Sequence, residues 1–269
     1  QHAKTEYDCT VSAATIIIMS PENNNTEYVF CCHIAGVFDV NRQAILPAND
    51  FSMLEPWLAS VVAQGVKAVI FHNHFTTDTC ARYAHPFVRF ERVLYDDTYS
   101  PNVFRYFAYR NYLQQHGHTI TSVFMTDATD VVMQRNPFTD SYFLKHPDNL
   151  FCGDEPKPLD NEWMRNHGKY FREQSKAYRL FEETFGHQTL LNCGIIGGKK
   201  ELICNFLEAL CTFHRECNQH NPTAYTGDMG AFNFIARTLF GKTLLHGEPV
   251  NTVFKQYEDE RRDCWFQHK

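Results

Sequence analysis

The chain has 269 residues, of which 43% are hydrophobic and 21% are charged, a composition typical of a folded globular protein. Its formal net charge is −6 and no dense run of lysine or arginine occurs, which argues against a nucleic-acid-binding protein. The best apolar run, Ala13 to Met19, is too short for a transmembrane segment, and no stretch has the pattern of a signal peptide.

The first elements follow a strand–helix–strand order. The segment Glu27–Val37 is predicted to be a strand. Apolar residues recur at helical spacing in Phe51–Gln64, which predicts a helix that Gly65 ends. Lys67–Phe71 is predicted to be the next buried strand. The short connections between these elements indicate two parallel strands joined by a right-handed crossover.

The second half of the chain continues the alternation. The predicted helices are Val103–Gln115, Leu202–Phe213 and Asp228–Leu239. The predicted strands are Ser122–Thr126, Leu150–Cys152, Thr189–Ile196, Thr243–Leu245, Thr252–Phe254 and Cys264–Phe266. The polar residues 153–171 are rich in turn formers, and we expect them to be irregular and functional. This pattern predicts a single α/β domain with a mostly parallel central sheet flanked by helices.

Ten cysteines are distributed along the chain, and no pair has the C-x-x-C spacing of a zinc ribbon or a thioredoxin motif. A high, even number of cysteines is typical of disulfide-bonded proteins of oxidising compartments. We therefore expect a Golgi-like lumenal or secreted location, with the cytoplasm as the alternative. Cys193 lies in an apolar run and is predicted to be a small buried core residue.

Two aspartates, Asp127 and Asp130, stand where the apolar character of the strand Ser122–Thr126 ends. Ligands of open α/β sheets bind beyond the carboxyl ends of the strands, and residues three apart in a turn come within about 7 Å of each other. Both carboxylates can therefore face one cation, and hard oxygen ligands suit Mg²⁺ or Mn²⁺. The alternative is that Asp127 caps a turn and Asp130 is a solvated surface charge.

Other phosphate-binding and hydrolytic motifs are absent from the sequence. No G-x-G-x-x-G follows a strand, and no G-x-S-x-G or H-E-x-x-H occurs. The segment "CGIIGGKK" departs from a P-loop, because Cys193 replaces its first glycine and Lys200 replaces its Ser or Thr. The sequence therefore gives no support to a nucleotide kinase, a serine hydrolase or a zincin.

The segment "FMTDATDVVMQRNPF", residues 124–138, resembles the metal-binding segment of GT-A glycosyltransferases that carry Asp-x-x-Asp. Upstream, "VFRYFAYRNYL" resembles the helix that precedes this strand. Downstream, "LLNCGIIGG", "TGDMGAFNFI" and "CWFQHK" resemble an Asn-x-Gly-x-x-Gly-Gly stretch, an Asp-containing helix start and a late histidine segment. The resemblance covers the chain from about residue 65 to residue 269.

The resemblance implies a GT-A, Rossmann-like catalytic domain over residues 27–269. Residues 1–26 form an N-terminal extension that resembles no family. The usual GT-A signature is Asp-x-Asp, but Thr129 occupies its third position. Asp130 would therefore be the principal metal ligand, with Asp127 on the donor ribose or also on the metal.

The resemblance also implies a substrate and a cofactor. The donor would be a sugar on a nucleoside diphosphate, with Mn²⁺ or Mg²⁺ bridging its two phosphates. His268 would be the third protein ligand of the metal, by analogy with the late histidine of the family. His246 is the competing candidate near the donor, because the glycine that follows it suits close approach of the backbone to phosphate.

Further residues are candidates for donor binding. Asn192 and Gly194 lie at the end of another predicted strand, where an amide and a bare backbone can contact the sugar. Arg105 lies on the helix before the metal-binding strand and can pair with a phosphate. His72 follows a buried strand and is expected to border the nucleotide.

Asp228 is the best candidate for a catalytic base or for a carboxylate that orients the sugar, because a helix start faces the same crevice. The alternative is that it serves only as a helix N-cap. In the long polar stretch, Glu155, Asp160 and Trp163 are expected to bind the acceptor, with Trp163 as a ring for sugar stacking or, alternatively, as a core residue.

The leading hypothesis is a metal-dependent glycosyltransferase that moves a sugar from a nucleoside-diphosphate sugar to a glycan or glycoprotein acceptor. A phosphatase of the haloacid dehalogenase type also places an aspartate at a strand end, but it requires Asp-x-Asp, and Thr129 breaks that pattern. From a different class, the alternative is a non-catalytic module that binds sugars or glycoproteins and derives from a transferase.

Overall fold

A computed structural model describes residues 26–39, 43–218 and 227–269. The predicted N-terminal extension, residues 1–26, lies outside the described residues except for Thr26. Within the described ranges the chain forms eleven β-strands and nine α-helices. The strands are β1 (Glu27–His33), β2 (Phe38–Asp39), β3 (Ala44–Ile45), β4 (Lys67–His72), β5 (Val88–Arg92), β6 (Ser122–Thr126), β7 (Val131–Met133), β8 (Leu150–Pro158), β9 (Thr189–Lys199), β10 (Leu244–His246) and β11 (Phe266–His268).

Nine α-helices lie between these strands in the described ranges. They are α1 (Glu55–Ala63), α2 (Thr77–Arg82), α3 (Pro101–His116), α4 (Ser141–Lys145), α5 (Glu162–His167), α6 (Lys169–Gln174), α7 (Lys176–Phe185), α8 (Lys200–Asn218) and α9 (Asp228–Phe240). Three short 3₁₀ turns lie at Ser52–Leu54, Gly117–Thr119 and Pro137–Thr139. The central helix α3 begins with Pro101, which suits the first helical position because its missing N–H has no partner there.

Seven of the described strands form the central sheet, in the order β10-β8-β9-β6-β1-β4-β5. Neighbouring strands are parallel except where β9 pairs with β6 and β8. The carboxyl ends of β1, β4, β6 and β8 therefore share one edge of the sheet with the beginning of β9. The prediction of an α/β fold with a mostly parallel central sheet flanked by helices is confirmed.

Two hydrophobic clusters cover the two faces of the sheet. One contains buried residues of α3 and α8, such as Tyr109 and Phe206. The other contains Trp57 of α1 and Trp265, which precedes β11. Phe30 of β1 packs in the first cluster while its two neighbours in the strand pack in the second, because successive strand side chains point to opposite faces.

One predicted strand is wrong. Residues 252–254 form no strand, although Thr252 and Val253 are β-branched residues of the kind that favour one. Thr252 donates a single backbone hydrogen bond to Phe266. Lys255 then adopts the left-handed conformation, with φ of 61°, which ends the extended path.

Several predicted boundaries also change. The first strand ends at His33 rather than Val37, and the last strand lies at Phe266–His268 rather than Cys264–Phe266. Residues 153–171 are not irregular throughout, because β8 continues to Pro158 and is followed by α5 and the start of α6. The elements α2, α7, β5 and β7 were not predicted.

The nine described cysteines are all free. The disulfides that the even number of ten cysteines in the full sequence suggested are therefore not formed among the described residues. Cys193 is buried, as predicted, with 7% of its surface exposed. In the part of the chain that the structure describes, no helix combines the length and the apolar character needed to cross a membrane.

Candidate metal and substrate site

The turn between β6 and β7 carries both candidate aspartates. The strand β6 ends at Thr126, as predicted, so that Asp127 is the first residue beyond the carboxyl end of that strand. The backbone N–H of Asp127 donates to the carbonyl of Gly194 in the adjacent strand β9, at 2.8 Å. Asp130 directly precedes β7. The turn therefore opens at the sheet edge that the parallel strands share.

His268 reaches this turn through strand pairing. The strand β11 pairs antiparallel with β7 and sets His268 opposite Val131, the residue after Asp130. The backbone N–H of Lys269 donates to the carbonyl of Asp130 at 2.8 Å. The imidazole Nε2 consequently lies 3.7 Å from a carboxylate oxygen of Asp130 and 3.8 Å from one of Asp127.

The three side chains form a cluster that could hold a metal ion. One ligand atom from each of Asp127, Asp130 and His268 lies within 4.8 Å of the others. Two carboxylate oxygens and one imidazole nitrogen are donors that suit a divalent cation. The histidine is buried and the aspartates are half-buried, so one side of the cluster stays open to a substrate.

Gly194 gives this cluster its space. A Cβ atom at that position would lie 2.5 Å from Cε1 of His268, 2.6 Å from Oδ2 of Asp127 and 2.9 Å from Oδ1 of Asn192. These separations are shorter than van der Waals contact. A side chain at position 194 would therefore displace two members of the cluster.

A cleft of about 470 Å³ contains the cluster. The described residues that line it include five carboxylates and three permanently cationic side chains. They are Asp39, Asp127, Asp130, Glu155 and Asp228, and Arg105, Lys157 and Lys255. The formal charge of this set is −2 when histidines are neutral, which one bound divalent cation would balance.

Arg105 joins the metal cluster to Asp228. Its guanidinium forms an ion pair with Asp127 and lies 4.0 Å from a carboxylate oxygen of Asp228. It also donates to the backbone carbonyl of Cys193 at 3.3 Å. Arg105 was predicted to pair with a phosphate, and in the structure this buried cation has two carboxylate neighbours.

Asp228 is the first residue of α9, and the N-cap is Gly227. The alternative in which Asp228 itself is the N-cap is therefore wrong. The Cys193 thiol donates to its Oδ2 at 3.4 Å. Burial raises the pKa of the Asp228 carboxyl, and the positive charge of Arg105 opposes that rise.

Glu155, Asn192 and Lys157 form the wall of the cleft on the side of β8. Both oxygens of the Glu155 carboxylate are bonded, one to the Asn192 amide at 2.8 Å and the other to the Lys157 ammonium at 2.7 Å. The Asn192 side-chain oxygen accepts from the backbone N–H of Gly194 at 2.7 Å. Asn192 and Gly194 lie inside β9 rather than at its end, and they reach this edge because β9 runs antiparallel.

Trp163 stands at the rim of the cleft with 41% of its surface exposed. Its ring stacks on His167 with a centroid distance of 3.6 Å, and the Lys157 ammonium lies 5.6 Å from its centroid. The alternative that Trp163 is a core residue is therefore wrong.

Three predicted site residues lie outside the cleft. His72 is buried beside Phe75, whose N–H it accepts at 3.2 Å, and burial lowers the pKa of this histidine to about 4. His246 pairs with Asp154 at 2.8 Å. Asp160 forms an exposed ion pair with Arg165 beside a second pocket.

Sequence reasoning missed several residues of the cleft. His33 lines it at the carboxyl end of β1. Residues at the carboxyl ends of strands were expected to face the ligand, so His33 would have been a candidate if the end of β1 had been predicted correctly. Lys157 and His167 lay within the stretch expected to be functional, but no local pattern marked them. Lys255 lay beside a predicted strand that does not form.

In comparisons with known proteins, no family model matches this chain and no curated protein matches it. The geometry of the cleft, with the sequence segments that build it, is therefore the basis for inferring its function.

Proposed function

We propose that this protein is a metal-dependent glycosyltransferase that moves a sugar from a nucleoside-diphosphate sugar to a glycan or glycoprotein acceptor. The observation that carries the proposal is the convergence of Asp127, Asp130 and His268 in a cleft at the carboxyl edge of the sheet. The volume of that cleft falls within the range of small-molecule sites. The Asp-x-x-Asp segment, on which the resemblance to GT-A enzymes rests, supplies two of the three ligands.

The donor end of the cleft would hold Mn²⁺ or Mg²⁺ on Asp127, Asp130 and His268, and such an ion supplies charge stabilisation for a leaving diphosphate. Arg105 holds Asp127 in place through their ion pair. Gly194 leaves room for the imidazole and for the carboxylate of Asp127. These contacts fix the ligands before a donor arrives, which reduces the reorganisation that binding requires.

The remaining polar groups of the cleft suit a sugar. Asp228 faces the same cleft as the metal cluster, where it can orient the transferred sugar or accept a proton from the acceptor. Glu155 and Asn192 present bonded polar atoms of fixed orientation. Trp163 offers an exposed indole at the rim, and aromatic rings with a polar edge commonly contact ligands of mixed polarity.

Calorimetry with a panel of donors tests the proposal. Wild type would be titrated with UDP-, GDP- and other nucleotide sugars, with Mn²⁺ and with EDTA. Two variants would follow: Asp130→Asn, which removes a proposed ligand, and Asp148→Asn. Asp148 is a matched control, because it is an exposed aspartate that pairs with Lys199 at the opposite edge of the sheet.

We expect one nucleotide sugar to bind in Mn²⁺ and not in EDTA, to bind weakly to Asp130→Asn, and to bind normally to Asp148→Asn. Release of the nucleoside diphosphate on incubation would then show turnover, whereas metal-dependent binding without release would favour the non-catalytic binding module. Failure of every donor to bind to folded wild type in Mn²⁺ would contradict both a glycosyltransferase and a non-catalytic module that binds nucleotide sugars through the metal cluster.

A further inference from the structure

The segment between β10 and β11 brings two residues into the cleft beside the metal cluster. Phe254 and Lys255 both line the cleft. The Phe254 ring lies edge-on to the His268 ring with a centroid distance of 4.6 Å. The Lys255 ammonium lies 5.0 Å from the centroid of the Phe254 ring. The ammonium and the imidazole of a proposed metal ligand are therefore both neighbours of one aromatic ring.

Ion pairs and hydrogen bonds fasten this segment. Arg261 forms ion pairs with Glu248 at 2.6 Å, with Asp263 at 2.7 Å and with Glu258 at 3.3 Å. The Glu258 carboxylate also accepts the backbone N–H of Val253 at 2.9 Å. The position of Lys255 is therefore set by contacts on both sides of it along the chain.

The backbone at Lys255 is in a conformation that costs free energy. Its φ is 61°, in the left-handed region that residues with a Cβ rarely adopt. Its N–H donates to the carbonyl of His268 at 3.3 Å, which ties the strained residue to the metal-ligand strand. Local strain of this kind is concentrated at functional sites, where surrounding contacts enforce it.

The charge of Lys255 is not neutralised by a carboxylate, in contrast with the other cations of the cleft. Arg105 is paired with Asp127, and Lys157 is paired with Glu155 at 2.7 Å. Among the residues that the structure describes, no ion pair joins Lys255 to an acidic group. An unpaired ammonium beside a divalent-cation cluster can bind an anion with more than one negative charge.

We propose that Lys255, whose backbone is bonded to that of His268, binds the diphosphate of the donor and of the nucleoside diphosphate product. The inference rests on the proposed function for the identity of its ligand. With a divalent cation bound, the formal charge of the cleft is zero, and this sum includes the ammonium of Lys255. Without that ammonium the charge would be −1, which would oppose the binding of a diphosphate.

Calorimetric titration of wild type and Lys255→Met with inorganic pyrophosphate, UDP and GDP in Mn²⁺ tests the proposal. Loss of a charge-assisted hydrogen bond corresponds to a roughly 10- to 100-fold weaker affinity, and we expect that loss for pyrophosphate and for the nucleoside diphosphate that binds. Mn²⁺ affinity without phosphate should not change. Lys242→Met, at an exposed lysine before β10, is the control and should bind pyrophosphate as wild type does.

A second variant separates binding from structure. Lys255→Gly removes the ammonium and also the Cβ that makes the left-handed backbone unfavourable. We expect it to raise the midpoint of thermal unfolding while it weakens pyrophosphate binding as much as Lys255→Met does. A lower midpoint with unchanged pyrophosphate affinity would overturn the proposal and assign Lys255 a structural role.

The outcomes distinguish this proposal from the proposed function. Equal pyrophosphate affinity in wild type and Lys255→Met would overturn the role of Lys255 even if a nucleotide sugar binds in a metal-dependent manner. Pyrophosphate binding that depends on Lys255, without binding of any nucleotide sugar, would support the diphosphate site and contradict the transferase. Wild type that binds neither pyrophosphate nor a nucleoside diphosphate in Mn²⁺ would overturn both.

Discussion

Gly194 shows how one missing side chain permits the metal cluster. A Cβ at this position would meet His268 and Asp127 at 2.5 and 2.6 Å. We predict that Gly194→Ala lowers Mn²⁺ affinity by about 10- to 100-fold, the range seen when groups that orient metal ligands are altered. Calorimetric titration with Mn²⁺ measures this effect.

Gly153 provides the matched control for this substitution. It lies in the neighbouring strand β8, and a Cβ there would meet Cβ of Ile195 at 3.4 Å, an ordinary contact. Gly153→Ala should therefore keep the Mn²⁺ affinity of wild type. Equal losses in both variants would mean that the sheet, rather than the space beside the ligands, determines the affinity.

At the scale of elements, helix α3 carries two arginines in different settings. Arg105 is buried between Asp127 and Asp228, whereas the half-buried Arg110 forms an ion pair with the exposed Glu208 at 2.6 Å. We predict that Arg105→Met lowers the free energy of unfolding by about 3–5 kcal/mol, because it leaves two buried or half-buried carboxylates without their cation. Urea denaturation in EDTA measures the change.

Arg110→Met is the control on the same helix. An exposed ion pair contributes about 1 kcal/mol or less, so this variant should unfold within that margin of wild type. A small effect of Arg105→Met, comparable to that of Arg110→Met, would show that the buried carboxylates do not depend on Arg105 for their stability.

The elements that the sequence predicted well are those whose periodicity is strong and whose ends carry a signal. The strand Ser122–Thr126 was predicted with its observed bounds because an apolar run stops at Asp127. The end of β1 was placed four residues late, since Ile34, Ala35 and Val37 continue its apolar character. The false strand at 252–254 arose because β-branched residues there resemble a strand, while the left-handed backbone of Lys255 has no sequence signal.

Some residues of the site are close together in the sequence, whereas others are brought together only by the fold. The proximity of the first group is easier to predict from the sequence than that of the second. Asp127 and Asp130 are three residues apart, so their proximity follows from turn geometry. His268 reaches them only through the pairing of β11 with β7, and the sequence suggested it by resemblance alone. Lys157 owes its place in the cleft to packing between separate elements, for which one sequence gives no pattern. Arg105 was a candidate from its place on the helix before this strand, but its ion pair with Asp127 was not predicted.

At the scale of the whole molecule, buried histidines predict how stability depends on pH. Burial lowers the pKa of His214 to about 3 and that of His72 to about 4. Both histidines are neutral in the folded and in the unfolded state well above pH 6.5, so they do not change the free energy of unfolding there. As the pH falls below about 6.5 the unfolded chain binds these protons and the folded chain does not, so stability decreases towards pH 4.

His214→Phe tests this prediction, because phenylalanine keeps a ring that can stack on Tyr106 and cannot bind a proton. The free energy of unfolding, measured in urea with EDTA, should decrease less between pH 6.5 and pH 4 in this variant than in wild type. His187→Gln, at an exposed histidine, should keep the wild-type slope. Parallel pH profiles for wild type and His214→Phe would contradict the account of His214.

In the proposed metal site, Asp127, Asp130 and His268 would hold one divalent cation at the carboxyl edge of the sheet. The most direct test is an electron paramagnetic resonance titration of Mn²⁺ with wild type, Asp130→Asn and Asp148→Asn, in which bound ion is lost from the signal of free aqueous Mn²⁺. We predict one bound Mn²⁺ in wild type and in Asp148→Asn, and at least about tenfold weaker binding in Asp130→Asn. Equal binding by wild type and Asp130→Asn, or no binding by folded wild type, would contradict it.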